Sequence, residues 1–259
     1  MIDVQGTLID DRDKRPIPGS VEALEALRRS GAPFVLVTNN TKHDSAEFRD
    51  FLRDLGFRFD DGQYLDPLMV LGTVVPPSPV AAYGSENFLK VLQKRGYTLD
   101  FEDPAAVLVA IKPDFTNDEY ARMIELVLGG AKLVGMHETS IYAKNGRRYP
   151  GVGAILKMVA FATGRGYEVV GKPSVPFYEE ALRKLRAQGL EGGFGAVEIV
   201  SDDLIGDLAG AKRLGMTTAL VLSGKIAAVD EVPADKRALA DRVASDIGVL
   251  FGVRTRRTA

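Results

Sequence analysis

The sequence lacks cysteine and lacks an excess of charge of either sign. Without cysteine the chain has no disulfides, no thiolate metal ligands and no thiol nucleophile, a composition compatible with a reducing cytoplasm. Its 33 lysines and arginines nearly balance 35 acidic residues. The small net charge therefore gives no indication of a nucleic-acid or strongly acidic partner. A small polar substrate is the simpler expectation.

Long apolar runs are also missing. None reaches the roughly 18 apolar residues that a membrane helix needs, and no basic segment followed by an apolar stretch precedes Asp3. We therefore expect a soluble, unprocessed, cytoplasmic protein without a membrane partner. At 259 residues the chain can form one large domain or two of ordinary size.

Apolar runs alternate with segments of helical period at both ends of the chain. Residues 20–29 and 43–55 have a helical pattern on either side of a β-like run at 33–37. This rhythm predicts an α/β fold with a Rossmann-like parallel sheet and flanking helices. Later in the chain it predicts helices at 175–188 and 208–214 and strands at 196–200 and 217–222.

A proline-rich segment interrupts this rhythm at residues 72–79. Because proline cannot continue a central strand or a helix interior, the segment is interpreted as a hinge or linker. The sequence thus predicts a discontinuous core domain, 1–71 and 167–259, and an inserted α/β cap domain, 72–166. Within the cap, strands or helices are expected at 79–83, 86–94, 105–111, 118–128 and 153–162.

Polar residues follow the first two predicted strands. Asp3 comes directly after the first apolar residues, before a turn at Gly6, and ligands of open parallel sheets collect at the carboxyl ends of strands. An ordinary turn with a side-chain bond explains Asp3 equally well. Thr38 and Asn39 end the next strand, where their polar groups suit either a phosphate or a helix cap.

Two later segments also place charged residues at strand ends. Lys172 follows an apolar run and can neutralise phosphate charge, although most lysines are simply exposed. Asp202, Asp203 and Asp207 follow the strand at 196–200. Because clustered acids repel one another, a hard-metal site is one resolution, and helix capping by one of the three is the alternative.

In order and spacing, these four segments resemble the four motifs of the haloacid dehalogenase superfamily over nearly the whole chain. The insertion between the second and third motifs resembles the C2-type cap of subfamily IIA, the branch with 4-nitrophenylphosphatase and phosphoglycolate phosphatase. Residues 37–42, 133–144 and 171–173 look most similar to the phospholysine phosphohistidine inorganic pyrophosphate phosphatase-like proteins.

The resemblance implies catalytic roles for four residues. Asp3 would attack phosphorus and form an aspartyl-phosphate on a small phosphorylated metabolite. Thr38 and Asn39 would hold the phosphoryl oxygens, and Lys172 would neutralise charge on the nucleophile and the phosphate.

A magnesium ion is implied as the cofactor. Its ligands would be Asp3, the backbone carbonyl of Gln5, and Asp202. In a supporting role, Asp207 or alternatively Asp203 would orient Lys172 or a metal-bound water.

Gln5 departs from the pattern of the resembling phosphatases, which carry a second aspartate there. An amide has no titratable proton, and loss of a general acid/base typically costs roughly 10²- to 10⁴-fold in rate. Three alternatives stay open: a slowed phosphatase, a different hydrolase of the superfamily, and a phosphate-binding or regulatory module without turnover. Ser201, where the family usually has glycine, is a smaller departure.

Cap residues are expected to set substrate choice. The loop at 137–151 supplies the candidates, although a packed or surface histidine and a solvated turn are the simpler interpretations of it. The resemblance also implies a homodimer formed through the cap. The candidate side chains are His137, Glu138, Tyr142, Lys144 and Arg147.

Overall fold

The computed structural model describes residues 1–112, 114–144 and 147–253. The strands are β1 (Ile2–Asp3), β2 (Leu36–Val37), β3 (Tyr64–Leu65), β4 (Pro79–Tyr83), β5 (Thr98–Leu99), β6 (Ala106–Val109), β7 (Lys132–Gly135), β8 (Ile141–Lys144), β9 (Arg147–Pro150), β10 (Glu168–Val169), β11 (Glu198–Ser201), β12 (Thr217–Val221) and β13 (Arg242–Ala244). The α-helices are α1 (Ser20–Ser30), α2 (Ser45–Asp54), α3 (Pro67–Val74), α4 (Glu86–Lys94), α5 (Asn117–Leu128), α6 (Val152–Thr163), α7 (Val175–Arg186), α8 (Ala209–Arg213) and α9 (Ile247–Leu250).

The chain divides into two compact units, of which the first contains residues 1–38, 46–65 and the chain from Tyr178 onward. Its sheet has six parallel strands in the order β13-β12-β11-β1-β2-β3. Central strands of such sheets are covered on both faces and are therefore apolar throughout, as in the buried run from Phe34 to Val37. The predicted parallel-sheet α/β core is confirmed.

The second unit contains residues 39–45 and 66–177. Five parallel strands form its sheet in the order β10-β7-β6-β4-β5, and β8 and β9 form a separate antiparallel hairpin. Apolar side chains from β4, β6, α5 and α6 meet in one buried cluster. This unit includes the predicted cap range 72–166 together with 39–45, 66–71 and 167–177, and its action as a cap stays a prediction.

The linker expected at 72–79 is shorter in the structure, because residues 72–74 end helix α3 and Pro79 begins β4, which leaves residues 75–78 as the connection. Helix α3 starts at Pro67, after Asp66 accepts a hydrogen bond from Met69 N (3.1 Å), and it continues to Val74. Strand β4 then begins at Pro79. Pro79 is tolerated there because the first residue of a strand does not need its backbone N–H for pairing. Regular structure is therefore interrupted only at residues 75–78.

The helices of the described chain include none that is both long and apolar enough to cross a membrane.

Candidate active site

Asp3 is the last residue of β1 and is buried, with 4% of its surface exposed. Ile2 pairs with Val200 on one side and with Leu36 on the other, so this two-residue strand is central in its sheet. Thr7 Oγ1 donates a 3.4 Å hydrogen bond to Asp3 Oδ2. A carboxylate therefore stands at the carboxyl end of a central parallel strand, as the sequence predicted.

Asp202 directly follows the neighbouring strand β11 and is also buried. Two glycines lie against its carboxyl group: an added Cβ would be 2.2 Å from Asp202 Oδ2 at Gly6 and 2.0 Å at Gly224. Gly6 also has a φ of 76°, a backbone conformation that residues other than glycine rarely adopt. The turn after Asp3 and the Asp202 carboxyl group are thus in contact although they are far apart in sequence.

Burial raises the pKa of Asp202 to about 6, and the negative charges of Asp207 and Asp203 act in the same direction. The backbone N–H of Lys225 donates a 2.8 Å hydrogen bond to Asp202 Oδ2, and this bond and the lysine charge oppose the shift. Since burial and neighbouring acids disfavour the carboxylate, a bound cation would stabilise it.

The chemistry of the implied oxygen donors suits magnesium. The implied ligands are the carboxylates of Asp3 and Asp202 and the backbone carbonyl of Gln5, all hard oxygen donors. Within the described residues no group of three or more histidine, cysteine, aspartate or glutamate side chains is arranged to hold a metal. A magnesium ion does not require one, because it usually keeps several waters and binds one or two protein carboxylates.

Asp203 and Asp207 have different surroundings. Asp203 Oδ1 accepts a 2.7 Å hydrogen bond from Gly206 N, and its Oδ2 pairs with the Lys225 ammonium. Asp207 is buried and accepts a 2.7 Å hydrogen bond from Ser201 Oγ. The hydroxyl of Ser201, where the family usually has glycine, therefore orients Asp207.

Gln5 and Thr38 are in direct contact. Thr38 Oγ1, which is buried, donates a 2.7 Å hydrogen bond to Gln5 Oε1. Among the described residues the amide nitrogen of Gln5 has no hydrogen-bond acceptor. The structure thus brings together, within the first unit, Asp3, Gln5, Thr38, Asp202, Asp203 and Asp207.

Asn39 and Lys172 belong to the second unit and are joined to each other. Lys172 N donates a 2.8 Å hydrogen bond to Asn39 Oδ1, and Asn39 Nδ2 donates a 3.4 Å hydrogen bond to Lys172 O. An added Cβ at Gly171 would lie 2.2 Å from Met136 O and 2.7 Å from Asn39 Oδ1, so glycine is required for this approach. The predicted joint action of Lys172 with Asp3 stays a prediction.

The candidate cap residues differ in burial. His137 is buried, with Nδ1 3.0 Å from Thr139 Oγ1, and Glu138 N donates a 3.3 Å hydrogen bond to Lys172 O. Tyr142 stacks on Tyr149 across the β8–β9 hairpin with ring centroids 5.4 Å apart. Arg147 is exposed on β9, and the side chain of Lys144 lies outside the described residues.

A fifth segment was missed by sequence reasoning. Ser223 Oγ donates a 2.7 Å hydrogen bond to Gly6 O, and Gly224 and Lys225 contact the acids after β11. The sequence did contain an indication of this segment. Gly224 and Lys225 follow the apolar run of β12, as Gly171 and Lys172 follow the apolar run that ends at Val170. We define residues 223–225 as the β12 loop.

Comparison with known proteins finds similar sequences at both ends of the chain. A family model of haloacid dehalogenase-like hydrolases matches residues 1–98, and a second model, HAD-hydrolase-like, matches residues 169–250. The bovine (Bos taurus) haloacid dehalogenase-like hydrolase domain-containing protein 2 is 29% identical over 233 residues, covering 89% of this chain and 86% of that protein. The bovine phospholysine phosphohistidine inorganic pyrophosphate phosphatase is 27% identical over 251 residues, covering 89% and 85%.

Among solved structures, the p-nitrophenyl phosphatase from Archaeoglobus fulgidus has a TM-score of 0.82 at 24% identity, covering 97% of each chain. This likeness confirms the predicted fold. The sequence matches confirm the predicted resemblance to the superfamily and to the phospholysine phosphohistidine inorganic pyrophosphate phosphatase-like proteins. Family models that match both ends, and relatives aligned over most of its length, show that the chain is similar over most of its length to the haloacid dehalogenase-like hydrolases.

Proposed function

We propose that the chain is a magnesium-dependent phosphatase that hydrolyses a small phosphorylated metabolite through an aspartyl-phosphate on Asp3. The observation that carries this proposal is the pair of buried carboxylates, Asp3 and Asp202, at the carboxyl ends of neighbouring strands, with Gly6 packed against Asp202. The phosphate ester is favoured as substrate because two of the similar proteins are named as phosphatases.

In the first step, a carboxylate oxygen of Asp3 forms a bond to phosphorus while the bond from phosphorus to the leaving oxygen breaks. In the second step, a water oxygen attacks the aspartyl-phosphate, releasing inorganic phosphate and restoring the Asp3 carboxylate. The hydrogen bond from Thr7 to Asp3 supports the geometry of the nucleophile.

Magnesium, when bound, would neutralise charge on the transferred phosphoryl group. Asp3, the carbonyl of Gln5, and Asp202 would hold it, and both carboxyl groups are buried. Among the remaining acids, Asp207 and Asp203 would support this site.

Residues of the second unit would contribute charge and specificity. We assign Asn39, with Thr38, to the phosphoryl oxygens and the Lys172 ammonium to charge neutralisation. Lys172 is buried, and a lysine is rarely buried unless its ammonium group is paired. The range 72–166 would act as the cap that selects the substrate.

Gln5 limits the chemistry of the leaving group. With its Oε1 occupied by Thr38, the amide nitrogen can donate a hydrogen bond to the departing oxygen but cannot transfer a proton. Leaving groups that need little protonation are therefore favoured, such as acyl phosphates, phosphoramidates and aryl phosphates. Gln5 also favours the second candidate function, a phosphate-binding or regulatory module without turnover.

The test is magnesium-dependent hydrolysis of acetyl phosphate and p-nitrophenyl phosphate by the native protein, Asp3→Asn and Gln5→Asp. The proposal expects activity in the native protein, its loss in Asp3→Asn, and a gain in Gln5→Asp. Activity that survives Asp3→Asn contradicts the nucleophile assignment. Magnesium-dependent phosphate binding with no turnover in any variant favours the binding module, and activity indifferent to magnesium favours a different hydrolase of the superfamily.

A homodimer through the second unit forms part of the proposal. Helix α6 exposes Phe161, which is 93% accessible, together with Met158 one turn earlier. Leu128, at the end of the neighbouring helix α5, is 53% exposed. Exposed apolar side chains on neighbouring helices can form a protein interface, and a second copy of the chain is the partner we propose for them.

A further inference from the structure

The β12 loop lies against the buried carboxylate of Asp202. Gly224 packs on the carboxyl group so closely that an added Cβ would be 2.0 Å from Oδ2 and 2.6 Å from the carboxyl carbon. Gly6 also approaches this group, with an added Cβ 2.2 Å from Oδ2. Two glycine backbones thus contact the carboxylate, and a larger residue at either position would displace it.

Hydrogen bonds fix the loop in this position. Lys225 N donates to Asp202 Oδ2 at 2.8 Å, whereas Asp202 Oδ1 accepts no hydrogen bond from the residues that the structure describes. At the other end of the loop, Ser223 Oγ donates to Gly6 O at 2.7 Å. One carboxylate oxygen is therefore restrained and the other is left to act as a ligand.

The side chain of Lys225 ties the loop to a second acid. Its ammonium pairs with Asp203 Oδ2, and the lysine side chain is half exposed while Asp203 is mostly covered. Asp203 is itself fixed, because its Oδ1 accepts a hydrogen bond from Gly206 N. The ion pair thus anchors the loop to the chain segment that directly follows Asp202.

We propose that the β12 loop is a positioning element for a divalent cation: Gly224 and Lys225 N hold the Asp202 carboxylate, and the Lys225–Asp203 ion pair holds the loop in place. This inference rests on the proposed function, because it takes Asp202 as a cation ligand. Partners that orient metal ligands typically contribute 10- to 100-fold to metal affinity, so the loop has a measurable effect.

Lys225→Met distinguishes positioning from simple charge. Removing a cation beside the acidic cluster would, by Coulomb attraction alone, strengthen magnesium binding. If Lys225 acts by positioning, the substitution weakens magnesium binding instead, because the loop and the Asp202 carboxylate lose the ion pair that holds them. We expect magnesium affinity about tenfold weaker in Lys225→Met and largely restored in Lys225→Arg, which keeps the ion pair.

The experiment is calorimetric titration of metal-free protein with magnesium alone, followed by hydrogen exchange of residues 223–225 without metal. Lys225→Met is expected to weaken magnesium binding and to speed exchange in the loop. Lys212→Met, which breaks an exposed ion pair with Asp241 elsewhere in the same unit, is the matched control and is expected to leave magnesium affinity unchanged. Equal or tighter binding by Lys225→Met overturns the inference.

Gly224→Ala provides a second test that leaves every charge in place. Its Cβ would displace the Asp202 carboxylate, so we expect about tenfold or greater loss of magnesium affinity. Gly193→Ala is the control, because its Cβ would meet nothing within 4 Å. Circular dichroism of each metal-free variant verifies that it folds.

The same titration separates the two proposals. If native protein binds magnesium, Asp202→Asn loses it, and both loop variants bind as native does, only the positioning inference fails. If native protein and Asp202→Asn behave alike, the magnesium site itself fails, and the inference fails with it.

Discussion

The hydroxyl of Thr38 donates a 2.7 Å hydrogen bond to the side-chain carbonyl of Gln5. The contact joins the residue after β2 to the turn after β1, and it occupies the oxygen end of the amide. The nitrogen end is left as a donor toward a ligand. Gln5 can therefore stabilise a departing oxygen by hydrogen bonding but cannot protonate it.

Gln5→Asp restores an ionisable group at this position. We expect about 10²- to 10⁴-fold faster turnover of alkyl phosphates, whose leaving groups need a proton, and a much smaller gain with acetyl phosphate. The Thr38 hydroxyl remains available as a donor to the carboxylate. Values of kcat/KM across phosphate esters of graded leaving-group pKa measure the change.

Gln93→Asp is the control for that substitution, because Gln93 is exposed on α4. It is expected to leave the rates unchanged. If Gln5→Asp alters neither the rate nor its dependence on the leaving group, the acid/base position has been assigned wrongly.

Much of this site followed from the sequence because its residues stand at strand ends. Asp3 ends the first apolar run and Asp202 comes directly after Ser201, the end of β11, and the carboxyl ends of parallel strands share one edge of a sheet. The sequence-based helices at 20–29 and 175–188 agree with α1 and α7 to within two residues. Strong periodicity therefore located the core elements.

Other elements carry no such signal. The β8–β9 hairpin is largely exposed, with Ile141 at 56% exposure, so its strands lack the alternation that burial produces. Helix α3 was hidden because the prolines after it suggested a linker. Lys225 was missed because its partners, Asp202 and Asp203, are brought to it only by the fold.

Asp241 provides a prediction about stability and pH. It precedes β13 and accepts hydrogen bonds from the Lys212 ammonium and from Thr218 N and Oγ1, the latter two at 2.9 Å. The Lys212 bond, followed by those of Thr218, lowers the pKa of Asp241 to about 2. This contribution to stability is fully present above the unfolded-state pKa of about 3.9 and is lost as the pH falls toward 2.

Asp241→Asn should therefore lower Tm near pH 7, and its deficit relative to native protein should shrink as the pH falls from about 4 toward about 2. Thermal unfolding followed by circular dichroism at several pH values measures both effects. A deficit that is independent of pH would show that the carboxylate charge does not stabilise this strand pair.

Phe161→Asp tests the proposed dimer. The side chain is 93% exposed, so the substitution removes no core packing, and we expect it to convert a dimer into a monomer of normal Tm. Light scattering after size-exclusion chromatography gives the mass. Val249→Asp, at a 59% exposed apolar position of the first unit, is the control; a dimer that persists in Phe161→Asp places the interface elsewhere.

The most direct test of the whole account is to trap the covalent intermediate. Because Gln5 cannot activate water, hydrolysis of the aspartyl-phosphate should be slow enough for it to accumulate during turnover of acetyl phosphate with magnesium. Acid quenching followed by peptide mass spectrometry is predicted to find one phosphoryl group on Asp3 in native protein and none in Asp3→Asn. Turnover of acetyl phosphate with no phosphoryl group on Asp3, or sustained in Asp3→Asn, would contradict the account.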